Sequence, residues 1–375
     1  MTRLEDLFAH HGQSPWIDNI RRDWLEDGTL ARLVASGARG VTSNPAIFAK
    51  AFATSDAYDS LIAAAASKDA ETVFERLAAA DVRDACDVLA PLHASSRDEF
   101  IRGVRRYADG FVSLEVSPRL ARDAEGTLSA ARRLAAARRL SAEVGRPNVM
   151  IKIPATPEGL PAITSVLGEG INVNVTLIFS LERYDQVLGA WCEGLELARA
   201  NGHDLADIAS VASFFVSRVD AAMDRLLPAG DDLRGRVANA QVAAAYELYL
   251  RWMDSERVRA LLGAGAQVQR PLWASTSPKD PSYDDLLYVD SIVADETVNT
   301  MPDATLEAAL ARGEFDSSLV ASPDTRSATA ALLGRLPGDC SLHEVTTRLE
   351  NDGVDSFVRS YDELLAIVAA KLGAE

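Results

Sequence analysis

Residues 148–179 read NVMIKIPATPEGLPAITSVLGEGINVNVTLIF and contain two short β-like runs separated by a helical stretch. The first run is NVMIKIP at 148–154, and the second is INVNVTLIF at 171–179. Runs this short and rich in valine and isoleucine are typical of buried strands. A strand, a helix and a second strand in this order predict a parallel βαβ unit.

The same alternation recurs outward along the chain in both directions. The other candidate strands are 15–20, 40–44, 111–117, 208–215, 271–276 and 296–301. Eight β-like runs separated by helical stretches predict an α/β protein, specifically a (β/α)8 TIM barrel. The stretch 45–107 is longer than a simple crossover and predicts several helices. The stretch 283–301 is compatible with a further short helix or a long loop.

The predicted barrel accounts for most of the chain, and helical patterns lie outside it. We expect residues 1–375 to form a single domain with its barrel core at about 14–302. Helical segments before residue 14 and a C-terminal helical extension at about 303–375 would then decorate the barrel.

The composition excludes several classes of function. Lys and Arg total 38 and Asp and Glu total 55, so the net charge is 38 − 55 = −17. Such an acidic chain disfavours binding to nucleic acid or to an anionic membrane surface, and an anionic substrate would need a locally basic pocket. No apolar stretch approaches 18 residues, and the N-terminus has no apolar signal core, so we expect no membrane span.

Cysteine and histidine usage points to the cytoplasm and to a site without a metal or another cofactor. Cys86, Cys192 and Cys340 lie far apart and form no CxxC pair, which is typical of a reducing compartment. The five histidines show no HExxH spacing.

Polar residues occupy one face of several predicted strands. Lys152 alternates with the aliphatic Ile151 and Ile153, and the same alternation sets Asn174 and Thr176 apart from their aliphatic neighbours. A polar strand face is usually a solvent-exposed antiparallel edge, but here single ionisable groups lie among small neutral ones. If the aliphatic faces meet the helices, six polar residues converge on the barrel axis: Asp18, Asn44, Glu115, Lys152, Asn174 and Thr176. Because burying a charge costs several kcal/mol, on the order of the total stability of some domains, a repeated buried polar face indicates a functional site.

This set of residues suits carbonyl chemistry. Burial of Lys152 favours the neutral amine, which can attack a ketone and form an imine. The protonated imine accepts electrons when the adjacent carbon–carbon bond breaks. Glu115 and Thr176 could hold a water for proton transfer, and Asp18 could act as acid or base on a sugar hydroxyl. The asparagines of the set suit hydrogen bonds to hydroxyls, although position alone allows several permutations of these roles.

Six motifs, in order, resemble those of transaldolases. They are WIDNI, GVTSNPAIF, VSLEVSPRL, MIKIPAT, INVNVTLIFS and ASFFVSR, and they cover roughly residues 14–302. The WAST segment at 273–276, with a lysine nearby, is similar to a longer bacterial branch of that family. The resemblance implies a metal-free Schiff-base transferase of the pentose phosphate pathway. Such an enzyme moves a dihydroxyacetone unit from sedoheptulose 7-phosphate to glyceraldehyde 3-phosphate, which yields erythrose 4-phosphate and fructose 6-phosphate.

The resemblance also implies roles for individual residues. Lys152 would be the Schiff-base lysine, Asp18 and Glu115 the proton-transfer carboxylates, and Thr176 a ligand of the catalytic water. The residues implied in substrate binding are Asn44 and Asn174 for the dihydroxyacetone part, Ser213 and Arg218 for substrate and phosphate, and Phe215 packing nearby.

One segment departs from the family pattern. Common transaldolases carry a second phosphate-binding arginine in an ASFR run, whereas this chain has Ala274-Ser275-Thr276-Ser277 followed by Pro278 and Lys279. We therefore expect Lys279 to supply the second positive charge. The expected partners are small sugar phosphates, with the chain acting as a monomer or homodimer.

Two other functions remain open at this stage. A fructose 6-phosphate aldolase would use the same barrel and lysine but release free dihydroxyacetone. That relative uses a tyrosine in the water-holding role for which this chain has Glu115. The glutamate favours transfer over release. A non-catalytic barrel that only binds sugar phosphates is the second alternative, and it would not require Lys152, Asp18 and Glu115 together.

Overall fold

Seven parallel strands form one curled sheet in a computed structural model that describes residues 1–121, 127–338 and 340–373. The strands are β1 Ser14–Ile17, β2 Val112–Glu115, β3 Val149–Pro154, β4 Val173–Ile178, β5 Ser210–Phe215, β6 Gln269–Ala274 and β7 Val298–Met301. Their order is β1-β7-β6-β5-β4-β3-β2, and each adjacent pair is parallel. Seven of the eight predicted strands are thereby confirmed, which establishes an α/β architecture of the TIM-barrel kind.

The eighth predicted strand, at 40–44, was too long. Only Val41 forms β-bridges, one to Ile17 at the end of β1 and one to Val112 at the start of β2. Ile17 N–H donates to the Gly40 carbonyl at 2.9 Å, and Val41 N–H donates to the Phe111 carbonyl at 2.9 Å. This segment thus links the two edges of the sheet. It stays short because the next helix begins at Pro45, immediately after its N-cap residue Asn44.

Helices fill the connections and both terminal segments, as the sequence predicted. The α-helices are α1 Arg3–His11, α2 Arg22–Glu26, α3 Thr29–Ala35, α4 Pro45–Thr54, α5 Asp59–Ala63, α6 Ala70–Ile101, α7 Thr127–Val144, α8 Leu160–Gly168, α9 Leu181–Ala200, α10 Ser217–Met223, α11 Val237–Met253, α12 Glu256–Gly263, α13 Leu287–Asp290, α14 Asp303–Arg312, α15 Pro323–Ala330 and α16 Leu342–Leu372. Short 3-10 segments lie at Asp56–Tyr58, Pro118–Leu120, Leu205–Asp207, Phe315–Ser317 and Ala331–Arg335. No helix in these described ranges is both long and apolar enough to cross a membrane.

A buried charge cluster closes the amino-terminal end of the sheet. Asp109 accepts hydrogen bonds from Trp16 Nε1 at 2.9 Å and from Arg39 Nε at 3.0 Å, and it also bonds Ser14. Burial alone would raise the pKa of Asp109, but Arg270 and Arg39 hold it below its ordinary value. Because every member is paired, this cluster can stabilise the core without being available for chemistry.

Helix α16 lies against the opposite, carboxyl-terminal end of the sheet. A Cβ atom at Gly353 would lie 3.1 Å from Leu177 Cδ2 and 3.5 Å from Phe179 Cε2, both at the end of β4. Arg183, at the start of α9, pairs with Glu350 of α16 at 3.1 Å. The helix therefore approaches the strand ends closely and is attached there by a partly buried ion pair.

Candidate active site

A cavity of about 190 Å³ opens at the carboxyl ends of the strands, where parallel α/β sheets bind their ligands. Eight of the ten predicted site residues line it: Asp18, Asn44, Lys152, Thr176, Ser213, Phe215, Arg218 and Lys279. The other two, Glu115 and Asn174, lie directly behind this lining, in contact with Lys152 and Ser213 respectively. The residues that the polar strand faces singled out are thus brought together.

A larger cavity of about 590 Å³ lies at the amino-terminal ends of the strands. Its lining includes none of the predicted residues, and its arginines are already paired. Arg97 bonds Asp207, and Arg146 pairs with Asp87 at 2.5 Å. We therefore place the candidate active site in the smaller cavity, which combines a buried amine with buried carboxylates.

Lys152 lies in β3 beside a carboxylate and is only 4% exposed. Its Nζ donates to the Ser43 carbonyl at 3.0 Å and lies 3.5 Å from Glu115 Oε2. The parallel register pairs Lys152 with Glu115 on β2 and with Asn174 on β4, which aligns the three residues across neighbouring strands. A primary amine held in this way can act as a nucleophile once it has lost its proton.

Glu115 is a buried carboxyl group with unusual proton affinity. Burial raises its pKa to about 7, and the nearby Asp18 adds to the increase, while Lys152 opposes it. Apart from the contact with Lys152, neither carboxylate oxygen has a hydrogen-bond partner in the described part of the chain, and the same is true of Thr176 Oγ1. Buried oxygens are rarely left unpaired in proteins, so these three atoms are suited to a water or a substrate hydroxyl.

Asp18 follows β1 and provides the second carboxyl group. Thr42 Oγ1 donates to Asp18 Oδ1 at 2.7 Å and also lies 2.6 Å from Thr300 Oγ1. Burial raises the pKa of Asp18, and Asp303 contributes, while Lys152 and Thr42 counteract the increase. One carboxyl group therefore lies in the cavity with the lysine and the other directly behind it, and they differ in their hydrogen bonding, which is the usual basis for separate acid and base roles.

The amide side chains are held by different partners. Asn174 donates to Ser113 Oγ at 2.9 Å and accepts from Ser213 Oγ at 2.7 Å, so its orientation is fixed from both sides. Asn44 accepts from the Ile47 N–H at 3.1 Å as the N-cap of α4. Its NH2 group has no hydrogen-bond partner among the described residues and can bind a ligand, so one residue both starts a helix and lines the cavity.

The backbone is strained at the mouth of the cavity. Leu177 has a φ of 60° and Ser275 a φ of 57°, which are values that favour glycine. The register between β4 and β5 shifts between Val175 and Ile178, so the strain at Leu177 coincides with a bulge next to Thr176. Such conformations cost about 1–3 kcal/mol each and concentrate at functional sites.

Two cations face the cavity from separate segments. Arg218 lies in the first turn of α10, and Lys279 lies at the exposed rim in the loop after β6. Burial lowers the pKa of Arg218, while for Lys279 both desolvation and the neighbouring Arg218 lower it. Neither side chain forms a hydrogen bond or an ion pair with another described residue, so the pair is suited to an anionic group.

Two tyrosines join the loop that carries Lys279 to α10. Tyr283 Oη donates to Asp224 Oδ2 at 2.7 Å, and Tyr288 Oη donates to Asp220 Oδ2 at 2.7 Å. Burial raises the pKa of Asp220 to about 7 despite the hydrogen bond from Tyr288. Since Arg218 belongs to α10, these bonds connect the segment that follows Lys279 with the helix that carries Arg218.

The sequence did not reveal the contribution of α16. Ser356 and Phe357 line the cavity, and the Phe357 ring centroid lies 5.7 Å from Lys152 Nζ. Gly353 and Phe357 lie four residues apart on one helix face, but that spacing is equally typical of ordinary packing. Within the described ranges, no group of three or more His, Cys, Asp or Glu residues is placed to hold a metal ion.

The fold and site define a class of α/β proteins that bind ligands at the carboxyl ends of parallel strands. A family model described as transaldolase/fructose-6-phosphate aldolase matches residues 15–368. The chain is 47% identical over 384 residues to a transaldolase of Arthrobacter sp. (strain FB24), covering 100% of this chain and 99% of the relative. It is 49% identical over 371 residues to a transaldolase of Thermobifida fusca (strain YX), covering 97% and 96%. The chain belongs to the transaldolase/fructose-6-phosphate aldolase family.

Proposed function

We propose that this chain is a transaldolase, a transferase that works through a Schiff base on Lys152. The reaction moves a dihydroxyacetone unit from sedoheptulose 7-phosphate to glyceraldehyde 3-phosphate and yields erythrose 4-phosphate and fructose 6-phosphate in the pentose phosphate pathway. The proposal depends most on one observation, the buried contact of 3.5 Å between Lys152 Nζ and Glu115 Oε2. Full-length relatives named transaldolase support the same reaction.

The first step is imine formation. Lys152 Nζ adds to the ketone carbon of the donor sugar, and the carbinolamine then loses water to give a protonated imine. Glu115, with a pKa of about 7, can take up and return a proton near neutral pH, through a water held together with Thr176. The unpaired buried oxygens of these two residues support that arrangement.

The second step is cleavage and transfer. Asp18 removes the proton from the hydroxyl next to the bond that breaks, and the electron pair of that bond moves to the imine. This gives an enamine on Lys152 and releases an aldehyde. The enamine then attacks the aldehyde of the acceptor, Asp18 returns its proton, and hydrolysis of the imine frees the new ketose and the lysine.

The remaining predicted residues bind the substrate in this proposal. Asn44, Asn174 and Ser213 hydrogen-bond the hydroxyls of the dihydroxyacetone part, and Phe215 packs beside them, with its ring centroid 4.9 Å from that of Phe179. Arg218 and Lys279 bind the phosphate, because both line the cavity and neither is engaged in a hydrogen bond or close ion pair within the described ranges, although Asp352 acts electrostatically on Arg218 and Asp18 on Lys279. No cofactor is needed, since the protonated imine formed on Lys152 serves as the electron sink.

We further propose that the fold is a closed (β/α)8 barrel in a single domain at 1–375. The hydrogen bonds of Gly40 and Val41 to both sheet edges support the closure. The family match over residues 15–368 supports one continuous unit. The expected setting is the cytoplasm, because three cysteines that lie far apart in the sequence are typical of a reducing compartment, and the enzyme is expected to be a monomer or homodimer.

Transfer assays test the proposal against its two alternatives. With fructose 6-phosphate as donor, a transaldolase should produce sedoheptulose 7-phosphate only when erythrose 4-phosphate is present. A fructose 6-phosphate aldolase would release free dihydroxyacetone at a comparable rate without any acceptor. A non-catalytic barrel would do neither, and Lys152→Met provides the inactive control.

A further inference from the structure

We propose that Phe357, a residue of α16, shields the lysine-bound intermediate from water and so favours transfer over release. The inference rests on the proposed Schiff-base function and assigns a role to the C-terminal helix. Phe357 is buried, with 6% of its surface exposed, and it lines the cavity together with Ser356. Its ring centroid is 5.7 Å from Lys152 Nζ, so the ring covers the atom that carries the substrate.

The helix is attached on both sides of Phe357. Before it, Glu350 forms the ion pair with Arg183 at 3.1 Å. After it, Tyr361 Oη donates to Glu71 Oε1 at 2.8 Å, and the Tyr361 ring packs edge-on against Phe74. Attachment at both ends holds the segment in a defined position, so Phe357 is presented to the cavity by a rigid element.

Gly353 allows this close approach. An added Cβ there would lie 3.1 Å from Leu177 Cδ2, the strained residue at the end of β4. The helix thus crosses the strand ends one turn before Phe357, at a point where an added Cβ would crowd the Leu177 side chain. The close contact places the aromatic ring directly above the end of the sheet from which Lys152 projects.

The chemistry gives such a cover a purpose. After the first aldehyde leaves, the enamine on Lys152 must wait for the acceptor. Protonation of its carbon followed by addition of one water molecule would give a carbinolamine, which breaks down to free dihydroxyacetone and the lysine amine. An apolar ring over Nζ limits the access of water to this intermediate. Phe357 therefore favours transfer over release.

The test is the ratio of dihydroxyacetone released to ketose formed by transfer, measured with fructose 6-phosphate and erythrose 4-phosphate. We expect Phe357→Ala to raise this ratio roughly three- to tenfold. Phe357→Leu, which keeps an apolar group of similar size, should stay within about twofold of the wild type. The ratio is independent of the active fraction of the sample, so partial unfolding or inactivation caused by the substitution would not change it.

The possible outcomes are distinct. A ratio that rises as the side chain becomes smaller supports the inference. If Phe357→Ala does not fold, Phe357→Val provides the same comparison at intermediate size. Unchanged ratios in variants that still transfer would overturn the inference and leave the proposed function intact. A wild-type enzyme that neither transfers nor forms an imine would overturn both.

Discussion

Lys152 Nζ lies 3.5 Å from Glu115 Oε2, and their side chains are only 6% and 3% exposed. An amine and a carboxyl group at this distance in a buried site can exchange a proton without bulk solvent. Isolated buried charges are costly, and Lys152 offsets part of the cost of burying the Glu115 carboxylate. This relationship connects the fold to the proposed chemistry, since the register of β2 against β3 creates it.

Replacing the carboxyl group by an amide should abolish most of the catalysis. Glu115→Gln keeps the shape but cannot transfer a proton, so we expect kcat to fall by about 10²–10⁴-fold. Glu182→Gln is the matched control, because Glu182 lies exposed in the first turn of α9, outside the cavity. A kcat within a few-fold of the wild type for Glu115→Gln would exclude Glu115 from the proton transfers.

The same variant predicts a pH dependence of stability. The folded-state pKa of Glu115 is about 7, above its ordinary value of 4.5, because burial disfavours the carboxylate. Its contribution to the free energy of unfolding is therefore fully present below pH 4.5 and is lost as the pH rises through 7. Urea unfolding at several pH values should show the wild type losing stability relative to Glu115→Gln across this window. If the free energy of unfolding of the wild type, minus that of Glu115→Gln, stays constant or rises with pH, the raised pKa of Glu115 is contradicted.

The proposed phosphate contact can be tested at Lys279, where this chain departs from the family pattern. Lys279→Ala should raise KM for phosphorylated substrates about tenfold, the effect of losing a charge-assisted hydrogen bond. Unphosphorylated analogues should be affected little, because they make no such contact. Lys50→Ala serves as control, since Lys50 is an exposed lysine of α4 outside the cavity. Equal effects on both substrate types would rule out phosphate binding by Lys279.

The hydrogen bonds of Tyr283 and Tyr288 to aspartates near the cavity predict how two substitutions change the free energy of unfolding. Tyr288→Phe removes the donor to Asp220 Oδ2 and leaves a buried carboxyl group with one partner fewer. We expect the free energy of unfolding to fall by about 1–3 kcal/mol. Tyr283→Phe should cost less, because Tyr283 is only partly buried. Denaturant unfolding of both variants gives the comparison, and a larger loss for Tyr283→Phe would show that burial does not govern these bonds.

Local sequence patterns anticipated much of the fold and of the site. Alternation with a period of two depends only on neighbouring residues, and it identified the polar faces that carry Glu115, Lys152 and Asn174. The strand at 40–44 was overestimated because the N-capping of α4 by Asn44 competes with sheet formation in the same residues. The Asn44-Pro45 pair is typical of a helix start, and it predicts a strand that ends before residue 44.

The contribution of α16 could not have been predicted in the same way. Phe357 is about two hundred positions from Lys152 along the chain, and their contact depends on how the whole helix crosses the strand ends. No local pattern distinguishes an aromatic residue that packs in a core from one that lines a cavity. The pairing of Lys279 with Arg218 likewise depends on a loop held by tyrosine contacts distant in sequence.

The most direct test is to trap the imine with borohydride. The wild-type protein, incubated with fructose 6-phosphate and reduced, should gain a stable three-carbon adduct on the peptide that contains Lys152. The peptides that carry Lys50, Lys68, Lys279 and Lys371 should remain unmodified, and Lys152→Met should gain nothing. An adduct on another lysine, or none at all from an active preparation, would contradict the Schiff-base role of Lys152.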